Sequence, residues 1–149
     1  MYPIPVNINK GLSDPQHVLV VEDDSSVAKG LEIVMREEGY KVELSDTGHK
    51  ALEKFQAMDF DLVVADLRLP DIDGLEVIRR VKENRPETKI IIITGYPSVA
   101  SAVQAVKMGV ADYLRKPFTG DDTHSGIHLL NNDQNYKCRN QSPEEFVSI

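Results

Sequence analysis

The sequence predicts an α/β fold in which a doubly wound parallel sheet carries helices on its two faces. Short continuous apolar runs alternate with segments of helical periodicity in the order βαβαβαβαβ. Continuous apolar runs are typical of parallel strands that are covered on both faces, and this alternation favours parallel pairing through helical crossovers. A length of 149 residues favours a single domain.

The expected strands and helices follow directly from the apolar pattern. The strands are the runs at residues 18–21, 42–44, 62–65 and 90–93, and the weaker run at 113–114. The segments between them place apolar residues on one helical face, in four stripes: Val27, Leu31, Val34 and Met35; Leu52 and Phe55; Leu75 and Ile78; and Val99, Ala102, Val103 and Val106.

The two ends of the chain have weaker patterns. Residues 1–16 contain proline and glycine without periodicity, which predicts an extended lead-in. After Phe118 we expect a weak or irregular fifth helix, because each glycine inside a helix, here Gly120 and Gly126, costs about 1 kcal/mol relative to alanine. The domain is therefore expected over residues 17–130, with a polar tail or truncated linker over 131–149.

Composition excludes several classes of function. A net charge of −7 argues against general affinity for nucleic acid or anionic membranes. No run approaches the ~18 apolar residues of a membrane span, and the first residues lack a secretory signal pattern. The single cysteine, Cys138, leaves no internal disulfide and suits a reducing compartment. We expect a cytoplasmic protein without membrane contact or direct nucleic-acid binding by this chain alone.

Acidic, basic and hydroxyl side chains lie at or just beyond the ends of the expected strands. Glu22 and Asp23 follow the first strand, Asp66 follows the third, Thr94 ends the fourth and Lys116 follows the fifth. Ligands of open α/β sheets bind beyond the carboxyl ends of the strands, so we expect these residues to converge. Two carboxylates about 4 Å apart repel by roughly 4 kcal/mol at an effective dielectric constant of 20. The cluster therefore needs a cation, and oxygen ligands open to water favour Mg²⁺.

A magnesium site beside a lysine suggests phosphoryl chemistry, because both cations neutralise phosphoryl oxygens. Asp66, which follows a buried strand alone, is the best candidate for a nucleophile that forms an aspartyl phosphate. The paired acids Glu22 and Asp23 suit metal binding, and the Thr94 hydroxyl suits a hydrogen bond to the incoming group.

Other polar residues receive structural interpretations. Asp24 is expected to cap the first helix, and Asp71 and Asp73 to shape the loop in "DIDG" before Gly74. His49 is given no role.

Four motifs together resemble the receiver domain of two-component response regulators. They are "VLVVEDD", "DLVVADLRLPDIDGLEV", "IIIITGYPS" and "GVADYLRKPF", which occur in this order within residues 17–118. The resemblance implies a CheY-like, flavodoxin-like five-stranded parallel sheet of order 2-1-3-4-5. The stretch "ASAVQAVKMGVADYLRKPF" is most similar to receivers that precede transcription-activating modules, which links the chain to transcription regulation.

The resemblance also implies the roles of the site residues. Asp66 would accept a phosphoryl group from a phosphohistidine. Asp23, Asp66 and the backbone carbonyl of Arg68 would bind Mg²⁺, with Glu22 binding directly or through water. Lys116 would bind one phosphoryl oxygen.

Further roles concern switching and the lifetime of the phosphoryl group. Thr94 would bind a second phosphoryl oxygen and move together with Tyr113, the aromatic switch residue. Arg68 and Tyr96 match positions that tune the rate of dephosphorylation in this family. The resemblance also implies a cis peptide bond before Pro117, since such bonds are largely confined to proline.

The implied function is a phosphorylation-dependent signalling switch rather than an enzyme. The expected partner is a sensor histidine kinase or a phosphotransfer protein, with a homodimer as one consequence of phosphorylation. Phosphorylation would change the surface of the fourth helix, fifth strand and fifth helix. Two alternatives stay open: a scaffold receiver that is not phosphorylated, and a phosphotransferase that acts on a small molecule through an aspartyl phosphate.

Overall fold

The computed structural model describes residues 16–116. The predicted lead-in, fifth helix, polar tail and peptide bond before Pro117 lie outside these residues. Strands and helices alternate along the described part: β1 (His17–Val21), α1 (Ser25–Glu37), β2 (Lys41–Ser45), α2 (Gly48–Ala57), β3 (Leu62–Asp66), α3 (Gly74–Asn84), β4 (Lys89–Thr94), α4 (Val99–Lys107) and β5 (Asp112–Arg115). None of these helices is both long and apolar enough to cross a membrane.

The strands form one parallel sheet in the order β2-β1-β3-β4-β5, which confirms the predicted fold. Val18 of β1 pairs with Val42 of β2 on one side and with Leu62 of β3 on the other. All five residues of β3 are buried, as expected for the central strand of a sheet covered on both faces. The carboxyl ends of β1, β3 and β4 therefore meet at one edge of the sheet.

Each face of the sheet packs against its own helices. On one face, Leu19 and Ile92 pack in a cluster with Phe55 of α2, Ile78 of α3 and Ala102 of α4. On the other face, strand residues pack with two residues of α1, Leu31 and Met35. The alternation of strand side chains between the two faces explains why the strands are apolar throughout.

The helix starts follow standard capping chemistry. The Asp24 carboxylate accepts hydrogen bonds from the backbone N–H groups of Ser26 (2.9 Å) and Val27 (3.3 Å), which confirms its predicted role as the cap of α1. Asp73 accepts from the N–H of Leu75 at 2.9 Å and caps α3. Since both caps belong to the loops that leave β1 and β3, they fix how the chain turns away from the acidic edge.

The apolar stripe predicted for α4 is correct for Ala102, which is buried, but wrong for Val99 and Val106. Its buried residues are Ala102 and Ala105, whereas Val99 is 61% exposed and Val106 is 39% exposed. Two alanines occupy the face toward the sheet because their short side chains let the helix backbone approach closely. The larger valines Val99 and Val106 lie at the margin of that face. A prediction from the size of the apolar side chains therefore rotates the buried face of α4 by part of a turn.

Candidate functional site

Three carboxylates meet at the predicted edge of the sheet. Glu22 directly follows β1, and Asp66 is the last residue of β3. The neighbouring residues Val21 and Ala65 pair in register, which places the two carboxylates side by side. One carboxylate oxygen from each of Glu22, Asp23 and Asp66 lies within 4.8 Å of the others.

Lys116 supplies the positive charge of this cluster. Its ammonium nitrogen lies 2.6 Å from Oε1 of Glu22 and 2.9 Å from Oδ2 of Asp66. The backbone N–H of Lys116 donates to the carbonyl of Thr94 at 2.7 Å, which holds the residue at the end of β4. Only 20% of the Lys116 side chain is exposed, so the two ion pairs are weakly screened by water.

Burial perturbs the protonation of the two partners. Glu22 is only 2% exposed, and desolvation raises its pKa from 4.5 to about 7 despite hydrogen bonds from Lys116 and from the backbone N–H of Asp24. Desolvation alone would lower the pKa of Lys116, but its hydrogen bonds to Glu22 and Asp66 raise it. A raised pKa of a buried carboxyl group beside a second carboxylate is typical of a site that binds a cation.

The raised pKa of Glu22 predicts a pH dependence of stability in the protein without divalent metal. Folded Glu22 holds its proton up to about pH 7, whereas unfolded Glu22 releases it near 4.5. The folded state thus binds more protons between these values, and its stability falls as pH rises through that window. Replacing Glu22 with glutamine removes this contribution.

Urea unfolding in EDTA checks this prediction. The free energy of unfolding of Glu22→Gln, relative to the original protein, should increase from pH 4.5 to pH 7 and stay constant above that window. A difference that is independent of pH would show that Glu22 titrates normally.

The arrangement fits a hard divalent cation. All three side chains offer oxygen, the ligand atom that Mg²⁺ prefers. Glu22 and Asp66 are buried, whereas Asp23 is exposed to solvent. An ion held between them would keep access to water and to an incoming group.

Thr94 and Tyr113, the predicted switch residues, are both buried. Thr94 is 1% exposed, and its hydroxyl oxygen accepts a hydrogen bond from the N–H of Tyr96 at 2.9 Å. Tyr113 is fully buried, and its hydroxyl lies 2.5 Å from the hydroxyl of Ser101 on α4. The Tyr113 ring is thus inside the core, and its polar end contacts the helix that follows Thr94.

The two predicted rate-tuning side chains contact each other at the surface. The guanidinium carbon of Arg68 lies 3.8 Å from the centroid of the Tyr96 ring, a cation–π geometry. The backbone N–H of Arg68 donates to Oδ1 of Asp66 at 3.0 Å. Both residues therefore flank the carboxylate cluster, although their positions came only from the resemblance.

One set of contacts near the site was not predicted from the sequence. Asp71 accepts hydrogen bonds from the backbone of Gly48 and His49 and also contacts the His49 imidazole. Asp71 was assigned to a local turn and His49 to no role. The two residues are 22 positions apart, and no spacing pattern in the sequence links them.

Comparisons with known proteins agree with the four receiver motifs in the sequence. The model of the family described as "Response regulator receiver domain" matches residues 18–128. The cell cycle response regulator CtrA of Brucella ovis is 33% identical over 113 residues, which cover 76% of this chain and 49% of that protein. The chain therefore spans about half the length of the curated relatives it matches.

Solved structures share the fold. A CheY-like receiver domain protein from Methanospirillum hungatei JF-1 has a TM-score of 0.78 at 29% identity, covering 83% of this chain and 99% of that chain. The beryllofluoride-activated NtrC4 receiver domain dimer has a TM-score of 0.71 at 35% identity, covering 80% and 98%.

Proposed function

Because the chain belongs to the response regulator receiver domain family, a family of regulatory domains in two-component signalling, we propose that it is a phosphorylation-dependent switch. Asp66 would accept a phosphoryl group from a sensor histidine kinase or a phosphotransfer protein. The observation that carries this proposal is the clustering of Glu22, Asp23 and Asp66 with Lys116 paired to two of them.

The site residues have separate tasks in the transfer. A carboxylate oxygen of Asp66 attacks the phosphorus of the phosphohistidine, an O–P bond forms, and the P–N bond to the imidazole breaks. Lys116 binds a phosphoryl oxygen and Thr94 donates a hydrogen bond to another. Mg²⁺, held by Glu22, Asp23, Asp66 and the backbone carbonyl of Arg68, would neutralise phosphoryl charge. The chain acts on itself and turns over no separate substrate.

Switching would follow from the new charge at the end of β3. The Thr94 hydroxyl would give up its hydrogen bond from the N–H of Tyr96 and donate instead to the phosphoryl group. Tyr113 would then occupy the space that Thr94 leaves. Since the Tyr113 hydroxyl contacts Ser101 at 2.5 Å, the change passes directly to α4. A nearly complete switch requires phosphorylation to favour the active state by roughly 5.5 kcal/mol. The output surface would be α4, β5 and the predicted fifth helix.

The wider setting is proposed from the sequence and the relatives. Residues 17–130 would form the receiver, between the lead-in of residues 1–16 and a polar tail or linker over 131–149. We place it in the cytoplasm, where sensor kinases present their phosphohistidine. The NtrC4 receiver dimer supports a homodimer on phosphorylation. The resemblance of "ASAVQAVKMGVADYLRKPF" to receivers that precede transcription-activating modules supports transcription regulation as the output. With a net charge of −7, this chain alone would not bind DNA.

The contact between Arg68 and Tyr96 should slow the loss of the phosphoryl group. The backbone N–H of Arg68 donates to Asp66 and its guanidinium lies over the Tyr96 ring, so the two side chains would restrict the approach of water to the phosphoryl group. We expect Tyr96→Ala to speed hydrolysis of the aspartyl phosphate about two- to fivefold, the factor that corresponds to an exposed cation–π contact of about 0.5–1 kcal/mol. Decay of phosphoprotein after removal of the donor measures this rate.

Matched variants separate shielding from other effects. Tyr96→Phe retains the ring and should decay at the original rate, whereas Arg68→Ala should resemble Tyr96→Ala. Unchanged decay in both alanine variants would show that neither side chain shields the phosphoryl group.

Acetyl phosphate with Mg²⁺ distinguishes the proposed function from the two alternatives. A switch gains the mass of one phosphoryl group, a gain that EDTA prevents, and it hydrolyses phosphate monoesters no faster than buffer. Sustained turnover of a monoester would favour the phosphotransferase. A chain that gains no mass from acetyl phosphate or from a phosphorylated kinase would be a scaffold.

A further inference from the structure

The loop between β3 and α3, residues 67–73, is attached to the start of α2. Oδ1 of Asp71 accepts a hydrogen bond from the N–H of Gly48 at 2.8 Å, and Oδ2 accepts one from the N–H of His49, also at 2.8 Å. Nδ1 of His49 lies 2.6 Å from Oδ2 of the same carboxylate. One side chain of the loop thus makes three polar contacts with one turn of a distant helix.

Apolar packing reinforces this attachment. A Cβ atom added to Gly48 would lie 2.4 Å from Cγ1 of Ile72, so the Ile72 side chain occupies the space that the glycine leaves open. The loop is also closed on itself, because the N–H of Gly74 donates to the carbonyl of Leu67 at 3.0 Å. A backbone bridge joins Arg68 to Asp73. Displacement at Asp71 would therefore be transmitted to Arg68.

Asp71 completes the capping of α2 from a different part of the chain. The hydroxyl of Thr47 already caps α2 by accepting from the N–H of Lys50 at 3.1 Å. Asp71 satisfies two further N–H groups of the first turn. Partial burial alone would raise the pKa of Asp71, but the hydrogen bonds from His49 and Gly48 outweigh it and lower that pKa. The carboxylate therefore stays ionised.

We propose that Asp71, held by His49 and the first turn of α2, is a positioning residue that fixes the backbone of Arg68 beside Asp66. This inference rests on the proposed function, in which the Arg68 carbonyl binds Mg²⁺. The Arg68 N–H already donates to Oδ1 of Asp66 at 3.0 Å, so the same peptide segment would orient the phosphoacceptor and supply a metal ligand. Groups that orient metal ligands commonly affect affinity about 10- to 100-fold.

Two measurements on Asp71→Ala test this inference. In the protein without metal, hydrogen exchange at the Arg68 amide should accelerate, while exchange in the middle of β3 should not change. Titration with Mg²⁺ alone, followed by amide chemical shifts, should give a dissociation constant about tenfold higher. His49→Ala should act in the same direction with a smaller effect. Its side chain is 64% exposed, so this variant should fold if Asp71→Ala does not.

Asp46→Asn is the electrostatic control. It removes the same charge from an exposed side chain, which pairs with Lys50 at 3.1 Å, and should leave both readouts close to their original values. Unchanged exchange at Arg68, or an equal loss of affinity in Asp46→Asn, would overturn the inference. Faster exchange with unchanged affinity would overturn the role in metal binding. Absence of Mg²⁺ binding by the original protein would instead refute the proposed function, and exchange in the metal-free protein would still report on the positioning.

Discussion

Replacing Asp66 with asparagine is expected to abolish phosphorylation by acetyl phosphate while the fold is retained. Asparagine has nearly the same shape, and its side-chain oxygen can accept the hydrogen bond from the N–H of Arg68 that Oδ1 accepts now at 3.0 Å. It has no carboxylate nucleophile, so no acyl phosphate can form. Intact-mass spectrometry after incubation with Mg²⁺ and acetyl phosphate measures the loss.

One measurement on the original protein and one control variant check this result. The phosphoryl group should be removed by hydroxylamine, which cleaves acyl phosphates but not phosphate esters of serine or threonine. Asp73→Asn, a change of the same type at an exposed helix cap, should be phosphorylated normally. Phosphorylation of Asp66→Asn at the original rate would place the acceptor elsewhere.

Replacing Gly74 with alanine is expected to cause the largest loss of stability among these variants. A Cβ atom at this position would lie 2.3 Å from the carbonyl oxygen of Asp66 and 2.6 Å from Cα of Leu67. Both neighbours are backbone atoms next to the phosphoacceptor, so relief requires movement of the loop itself. Overpacking commonly costs about 1–3 kcal/mol and sometimes more. We expect the upper end of this range, with a fall of roughly 10 °C in the melting temperature.

Gly30→Ala is the matched control for this variant. Gly30 lies within α1, and a Cβ atom there would meet nothing within 4 Å. Alanine should therefore stabilise the protein by about 0.5–1 kcal/mol through helix propensity. Thermal unfolding of the two variants should shift in opposite directions. A neutral Gly74→Ala variant would mean that the loop after Asp66 tolerates displacement.

The fold could be predicted from the sequence because its signals are local. The strand at residues 62–65 is a continuous apolar run, and the structure extends it by one residue, to Asp66. The face of α4 could not be predicted in the same way. Ala102 and Ala105 carry a weaker apolar signal than the neighbouring valines, and which side approaches the sheet depends on tertiary packing.

The candidate site likewise has one part that local sequence signals predict and one part that they do not. Convergence of Glu22, Asp66 and Lys116 could be predicted, because each follows a parallel strand and the topology brings those ends together. The attachment of Asp71 to His49 could not, since it depends on how a loop folds back on a helix 22 residues earlier in the chain. Long-range contacts of this kind leave no periodic signal in a single sequence.

Binding of one cation and one phosphoryl group at Asp66 should shift the buried pair Thr94 and Tyr113. Amide spectra recorded with Mg²⁺ and beryllofluoride, an analogue of the aspartyl phosphate, test it most directly. We expect shifts concentrated at Asp66, Thr94, Tyr113 and α4, and none in Asp66→Asn. Spectra of the original protein that do not change on adding both reagents would contradict it.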